Sequence, residues 1–215
     1  MPLIQKTMEI YVRIKQEGFL WFLRRSGKML RDCVYPPWNC LYWIPVFESI
    51  SPMVYKPLND KAQCIDVRVL TSLSELKAQE YRALIESIGA SDMPLYETRL
   101  AQGVELHVLF IDEKVAGTLS FVFGKTRRFQ HVILTDHDAM ALDGRIDPRH
   151  RGRGLYSLFL ALSIAKLRSK GIERLFIDTN EDNLPANRAY RSVGFRSLVR
   201  YKIRWGNYRF DARPI

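Results

Sequence analysis

Cysteine is scarce in this chain of 215 residues: Cys33, Cys40 and Cys64 are the whole complement, without C-x-x-C spacing and unable all to pair. That scarcity excludes a disulfide framework and a cysteine-built zinc site, and it favours a reducing compartment, so the expected location is cytoplasmic. Long hydrophobic runs are also lacking. No uncharged apolar stretch reaches the roughly 18–20 residues of a membrane-spanning helix. The first residues show no hydrophobic core ahead of a small-residue cleavage site, so no secretory signal is expected. Internal repeats and low-complexity tracts are absent. With 47% hydrophobic and 26% charged residues the chain folds rather than remaining disordered.

What is present is a lopsided charge. The net charge is +10, yet residues 1–143 carry 17 basic and 17 acidic side chains, whereas residues 144–215 carry 16 and 6. The entire excess therefore lies in the last third, which implies a polyanionic partner: nucleic acid, acidic lipid or a phosphate-rich small molecule. A solvated basic face is the plain alternative, and the local sequence must decide.

Residues 1–60 differ from the rest. From Leu3 to Val34 apolar and basic residues interleave at helical spacing, with Phe19, Leu20, Trp21, Phe22 and Leu23 followed by Arg24, Arg25, Lys28 and Arg31. Such a helix either packs on the main domain or a second subunit, or makes peripheral membrane contact through residues 3–34. Prolines at 36, 37, 45, 52 and 57 then forbid a long helix and predict an irregular, aromatic-rich connector. From residue 61 onward strand and helix signals alternate: strands at 65–70, 104–111, 115–123, near 133, 139–146 and 173–179, helices at 73–88, 155–170 and 185–193, and a final hairpin over 195–210. The order gives a mixed α/β (α+β) sheet rather than a doubly wound one, with an N-terminal unit 1–60 and a main domain 61–215.

The most informative stretch is Ile146-Asp147-Pro148-Arg149-His150-Arg151-Gly152-Arg153-Gly154-Leu155-Tyr156, placed where a strand ends and a helix begins. A helix N-terminus offers unpaired backbone N–H groups and about half a positive charge, both suited to phosphate oxygens. Gly152 and Gly154 let a backbone come close, and the arginines give the basic excess a local purpose. Neither a Walker A loop nor a Rossmann fingerprint is present.

Arg149-His150-Arg151-Gly152-Arg153-Gly154 resembles the R/Q-x-x-G-x-G/A pyrophosphate motif of the GNAT superfamily of acyl-CoA N-acyltransferases. Some thirty residues on, Asn183-Leu184-Pro185-Ala186 leads through Tyr190 to Gly194-Phe195, similar to that family's N-x-x-A-x-x-x-Y-x-x-x-G-F element. The resemblance is specific over residues 139–205 and does not cover 1–60. It implies a mostly antiparallel sheet of six or seven strands, flanked by helices and splayed to admit pantetheine. It further implies acetyl-CoA or another acyl-CoA as co-substrate, no metal, and a small-molecule or peptide amine as acceptor. Backbone groups near Ile146 would meet the pantetheine, and amides from Arg151 through Gly152, Arg153, Gly154 and Leu155 to Tyr156 would hold the pyrophosphate, with Arg149 adding charge. Asn183, and with it Asn187, would contact the pantetheine or acyl end, and Tyr190 would protonate the leaving thiolate.

Tyr156 stands where many members carry a small residue, so it either crowds the phosphate turn or stacks there. A general base is not fixed by the motifs: Asp143 is the first candidate, with Asp178, His137 and Asp138 beside it, and each is equally readable as a strand-edge or loop residue. The irregular cluster His131, Asp136, His137, Asp138 invites a metal reading that its spacing does not support. Two alternatives stay open. One is a synthase of the N-acyl amino acid or homoserine lactone type, fed by acyl carrier protein. The other is a non-catalytic basic module in which Arg188, Arg191, Arg196, Arg200 and Arg204 grip anionic membrane or, less expected, nucleic acid.

Overall fold

Apolar runs bounded by turn residues set the strands of the computed structural model. It describes residues 38–46, 63–89, 92–124, 128–129, 132–204 and 207–211. The predicted basic helix at 3–34 lies outside these residues, as does His131. In chain order the elements are β1 (Asn39–Pro45), β2 (Ile65–Leu70), α1 (Ala78–Ile88), α2 (Met93–Ala101), β3 (Glu105–Ile111), β4 (Lys114–Phe123), β5 (Arg128–Phe129), β6 (Val132–Ile133), β7 (Asp138–Ile146), α3 (Leu155–Ser169), β8 (Arg174–Asn180), α4 (Leu184–Val193), β9 (Arg196–Arg204) and β10 (Asn207–Asp211).

Eight strands form one sheet in the order β10-β9-β1-β8-β7-β4-β3-β2, and β5 and β6 pair separately. Only β7 and β8 run parallel. The sheet is mixed and mostly antiparallel, as the resemblance implies, with one strand more than expected. The addition is β1, which corrects the reading of this stretch as connector and moves residues 39–45 from the N-terminal unit into the sheet. It lies between β8 and β9, pairing Leu41 with Asp178 on one side and with Val199 on the other. The prolines at 36 and 37 precede the strand, and Pro45 is its last residue. Cys40, Leu41, Tyr42, Ile44 and Val46 are all buried, the signature of a strand covered on both faces rather than alternating in and out.

One apolar layer lies between the sheet and α3 and α4, with Phe159, Leu160, Ile164 and Leu167 of α3 on Leu119, Phe121 and Leu175. On the opposite face α1 and α2 cover Leu106, Val108 and Phe110 with Leu84, Tyr96 and Leu100. The predicted single helix over 73–88 is two pieces. Ser72 and Glu75 form a capping box, but it starts a short 3-10 turn, and α1 begins only after the extended residues Leu76 and Lys77. The β3–β4 turn uses Asp112 (φ 48°) and Glu113 (φ 63°), both left-handed as a two-residue hairpin favours.

The decisive irregularity is in the parallel pair. Partners run from Asp138–Arg174 to Ala141–Ile177 and then stop. Beyond that point β7 continues against β4, with Gly117 opposite Ile146, and β8 continues against β1, with Asn39 opposite Asn180. The two strands part, and the sheet is open between them.

Candidate functional site

Two cavities occupy the opening. The first, about 680 Å³, lies at the start of α3 and touches Ile146, His150, Arg151, Gly152, Gly154 and Leu155 on one wall, with Asn183, Ala186, Arg188 and Ser192 on the other. The second, about 590 Å³, lies deeper and touches Asp143, Asp178, Tyr190, Tyr201, Asn39 and Arg99. Gly144, Tyr156, Asn183 and Ala186 line both, so they mark the boundary.

At the first cavity, the loop after β7 takes a 3-10 turn over Pro148–His150 and then passes through Gly152 (φ 74°) and Gly154 (φ 79°). Both glycines stand in the left-handed region, which L-residues with a side chain seldom adopt. A Cβ on Gly152 would meet nothing within 4 Å, so conformation rather than space requires that glycine. Gly154 caps α3 without any side-chain hydrogen bond to the first turn. The leading amides of Leu155, Tyr156 and Ser157 therefore start an uncapped helix beside an open space, the arrangement that holds phosphate oxygens.

The flanking cations differ from the expectation. Asp147 accepts from Arg149 at both Nε (3.0 Å) and Nη2 (2.7 Å), and also from the Arg149 amide (2.8 Å). Its carboxyl is thereby held down at about 2, mainly by that guanidinium. Arg149 lies 77% exposed and outside the cavity, and Arg153 is not among the lining residues either. Arg151 does line it, with its Nε donating to the Ile146 carbonyl at 2.9 Å. Arg188 on α4 also lines the cavity, and so does Arg145 on β7, whose guanidinium pairs with Asp92. His150 also lines it, and burial pushes its imidazole below the usual value, toward the neutral form.

Asn183 caps α4 through its side-chain oxygen to the Ala186 amide (3.4 Å) and donates to Thr179 Oγ1 (3.0 Å). It stands on the boundary as the motif implied. Asn187 does not reach either cavity. Its amide donates to the carbonyls of Asn180, Glu181 and Asn183, and its oxygen accepts from Tyr42 (2.7 Å). Asn187 faces inward on a helix that packs against β1 and ties the β8–α4 loop to that strand.

At the second cavity, β7 bulges. Ser120 faces Leu142 and Thr118 faces Arg145, so Leu119 opposes two residues, Asp143 and Gly144. Asp143 takes φ 50° there, and its carboxylate pairs with Arg99 of α2. A second ion pair, Arg145 to Asp92 (3.0 Å), fixes the start of α2 to the same strand. Asp178 accepts from the Tyr201 hydroxyl. Arg99, Asn39 and Tyr201 line this cavity and carry no motif. Asp138 stands apart from both cavities. It is wholly buried and accepts from Arg174 at 2.7 and 2.8 Å and from the Thr135 amide and hydroxyl. Burial alone would raise its carboxyl, but these donors outweigh it and hold it low, so Asp138 is a structural anion. His107 is packed in the core, its ring 4.4 Å from that of Phe121.

Tyr190 is 4% exposed and nested among Tyr42 (ring centroids 5.5 Å), Phe195 (5.8 Å) and Tyr156 (6.0 Å). Burial, and then the neighbouring phenol, hold Tyr190 well above the ordinary tyrosine value, and burial pushes Tyr156 up to about 12. Tyr156 crosses the opening so that its hydroxyl lies over the backbone of Gly144. A Cβ on Gly144 would overlap that hydroxyl and come within 2.9 Å of ring Cζ.

A family model described as the acetyltransferase (GNAT) family matches residues 70–195. Among solved structures, a GNAT-family acetyltransferase from Colwellia psychrerythraea superposes with a TM-score of 0.53 at 15% identity, over 75% of this chain and 53% of that one. The GCN5-related glucosamine N-acetyltransferase region of a fungal multi-domain GH3 β-N-acetylglucosaminidase gives 0.52 at 14% identity, over 83% of this chain and 22% of that one. The chain thus spans about half the length of the first and about a fifth of the second. A search of the curated proteins gives no match. The structural likenesses agree in fold, and the family match spans more than half of the sequence, including the glycine turn, the parted strands and the tyrosine helix: this chain belongs to the GNAT acetyltransferase family.

Proposed function

We propose that the protein is an N-acyltransferase that moves an acetyl or other short acyl group from acyl-CoA to a primary amine by direct attack on the thioester. The observation that carries this reading is the end of β7–β8 pairing at Ala141 and Ile177, with uncapped helix amides on one side of the gap and a polar cavity on the other. In this reading the amides of Gly152 to Tyr156, with Arg151, Arg145 and Arg188, hold the pyrophosphate. Asn183 borders the pantetheine, which lies between Gly144 and Ala186. The deeper cavity takes the amine. Direct attack needs donors for the developing oxyanion and thiolate, not a nucleophilic side chain. Tyr190 is the donor toward the sulfur, and Asp143, paired with Arg99, faces the acceptor.

A short acyl group suits the deeper cavity, whose lining mixes the polar Asn39, Arg99, Asp143, Asp178 and Thr179 with Ala141, Leu142 and Ile177. Three of the five arginines named for a non-catalytic basic module are used within the fold. Arg200 pairs with Glu181 and lies 5.0 Å from the Trp38 ring, Arg196 lies 5.7 Å from that of Trp43, and Arg188 lines the first cavity. Calorimetric titration with CoA tests the proposal. Binding is expected with Kd below about 1 mM, weakened at least ~100-fold in Gly154→Asp, which strains the turn and sets a like charge at the phosphate site. No heat of binding from the unaltered protein at millimolar CoA overturns the reading.

A further inference from the structure

The two cavities are opposite in sign. The first is lined by Arg145, Arg151 and Arg188 and by no carboxylate, as a diphosphate requires, whereas the deeper one is lined by Asp143 and Asp178 against Arg99. Asp143 and Arg99 offset each other, so the excess charge of the deeper cavity is that of Asp178, in a chain whose net charge is +10. A primary amine must shed its proton before it attacks, and an anionic wall favours the unreactive ammonium. The wall is matched instead by an acceptor with a second cation that keeps its proton.

The surroundings of Asp178 suit such a group. Strands β9, β1 and β8 are neighbours in the sheet; Leu41 lies opposite Asp178, and Asn39 lies opposite both Asn180 and Tyr201. Side chains alternate along a strand and directly opposed residues share a face, so Asn39, Asp178 and Tyr201 project to the same side. That side carries Leu41, Met140 and Phe176, away from α3. The buried Tyr201 ring fixes a hydroxyl that donates to Asp178, and a phenol oxygen accepts as well as donates. An ammonium has three N–H donors; a carboxylate, an amide oxygen and a phenol oxygen here face one cavity.

We propose that the acceptor is a diamine whose second nitrogen, as ammonium, is held by Asp178, Asn39 and Tyr201 while the first attacks the thioester; the proposal rests on the acyl-CoA reading above. The reacting nitrogen bonds to the acyl carbon as the C–S bond breaks. It gives one proton to water, and sulfur takes one from Tyr190, which recovers its own from water. The distal ammonium keeps its protons throughout, and the products are the mono-acylated diamine and the CoA thiol.

The test is calorimetric titration of the CoA-saturated protein with linear diamines of two to five carbons, each beside the amino alcohol and the amino acid of the same length. The best diamine is expected to bind at least ~10-fold more tightly than its amino alcohol, the worth of a hydrogen-bonded charge, and the amino acid more weakly than either. Release of CoA thiol from acetyl-CoA should follow the same order in kcat/KM. Asp178→Asn should bring diamine and amino alcohol within about threefold of each other. Asn39→Ala removes one acceptor without altering charge, and it should reduce the preference about threefold; thermal melting shows that each variant is folded. Should Asp178→Asn not fold, the unaltered protein and Asn39→Ala carry the test. A diamine preference below threefold in the unaltered protein overturns the proposal. So does an Asp178→Asn variant that loses both acceptors alike, which would make Asp178 a base or a fold anchor. Either result leaves CoA binding, and with it the acyl-CoA reading, intact; absence of CoA binding by the unaltered protein removes both.

Discussion

The two sides of the opening are built by different means. The phosphate side is made mostly from one continuous stretch, Gly144 to Ser157, and its chief instrument is backbone: two left-handed glycines and an uncapped helix start. The acceptor side is made of side chains from β1, α2, β7, β8, α4 and β9, brought together by the sheet order. A backbone site tolerates change in its surrounding side chains, since its donors belong to the peptide groups. A side-chain site depends on each contributor and on every element that aims it. The difference teaches where this chain is free to vary its chemistry without losing its donor.

Substitution at the boundary should disturb both sides most. Gly144→Ala places a Cβ on the Tyr156 hydroxyl; turnover should fall at least ~10-fold and stability by about 1–3 kcal/mol, as for other overpacked sites, read by steady-state kinetics and urea unfolding. Unchanged turnover would separate the two cavities functionally.

Changes of pH sharpen the contrast, because the sides carry opposite shifts. On the acceptor side Tyr156 is raised from about 10 to about 12. A raised folded-state value contributes stability that is complete below about pH 10 and lost as pH rises through about 12. On the phosphate side Asp147 is lowered from 3.8 to about 2. Its contribution is complete above about pH 4 and lost as pH falls through about 2. Tyrosinate absorbance should therefore show Tyr156 and Tyr190 among the phenols that titrate late, and Tyr156→Phe should remove one of them. Denaturant midpoints measured across both ranges should fall at each end, with Asp147→Asn flattening only the acid limb.

The smallest effect is expected at Arg149. Its guanidinium sits on Asp147, outside the cavity, so Arg149→Ala should leave CoA affinity within about twofold, whereas Arg188→Ala should weaken it ~3–10-fold as a direct phosphate partner is lost. Equal losses in the two variants would restore Arg149 to the site and blur the distinction drawn above.

The same division explains what could be read in advance. Strands at 65–70 and 139–146, the α3 helix ending beside Gly171, and the Asn183 cap follow from periodicity and capping residues within a few positions of each other. The glycine turn was legible for the same reason. The central strand β1 was not, because prolines around it signal a loop while its partners on β8 and β9 lie at least 129 residues away. Asn187 sits in a motif, yet a helix has two faces, and only the packing of α4 on β1 turns that amide inward. Arg188, the next residue, faces the cavity for the complementary reason.

What the sequence determined by itself is the donor's phosphate turn: conformations that only glycine adopts easily, next to a helix start, are local properties of the chain. What tertiary structure alone decided is which side chains face the amine and which phenols meet. Arg99, Asp143, Tyr156, Tyr190 and Tyr201 become neighbours through a strand inserted from the other end of the chain and a sheet that opens after Ala141, and contact between residues so far apart is fixed by packing, which no local pattern encodes.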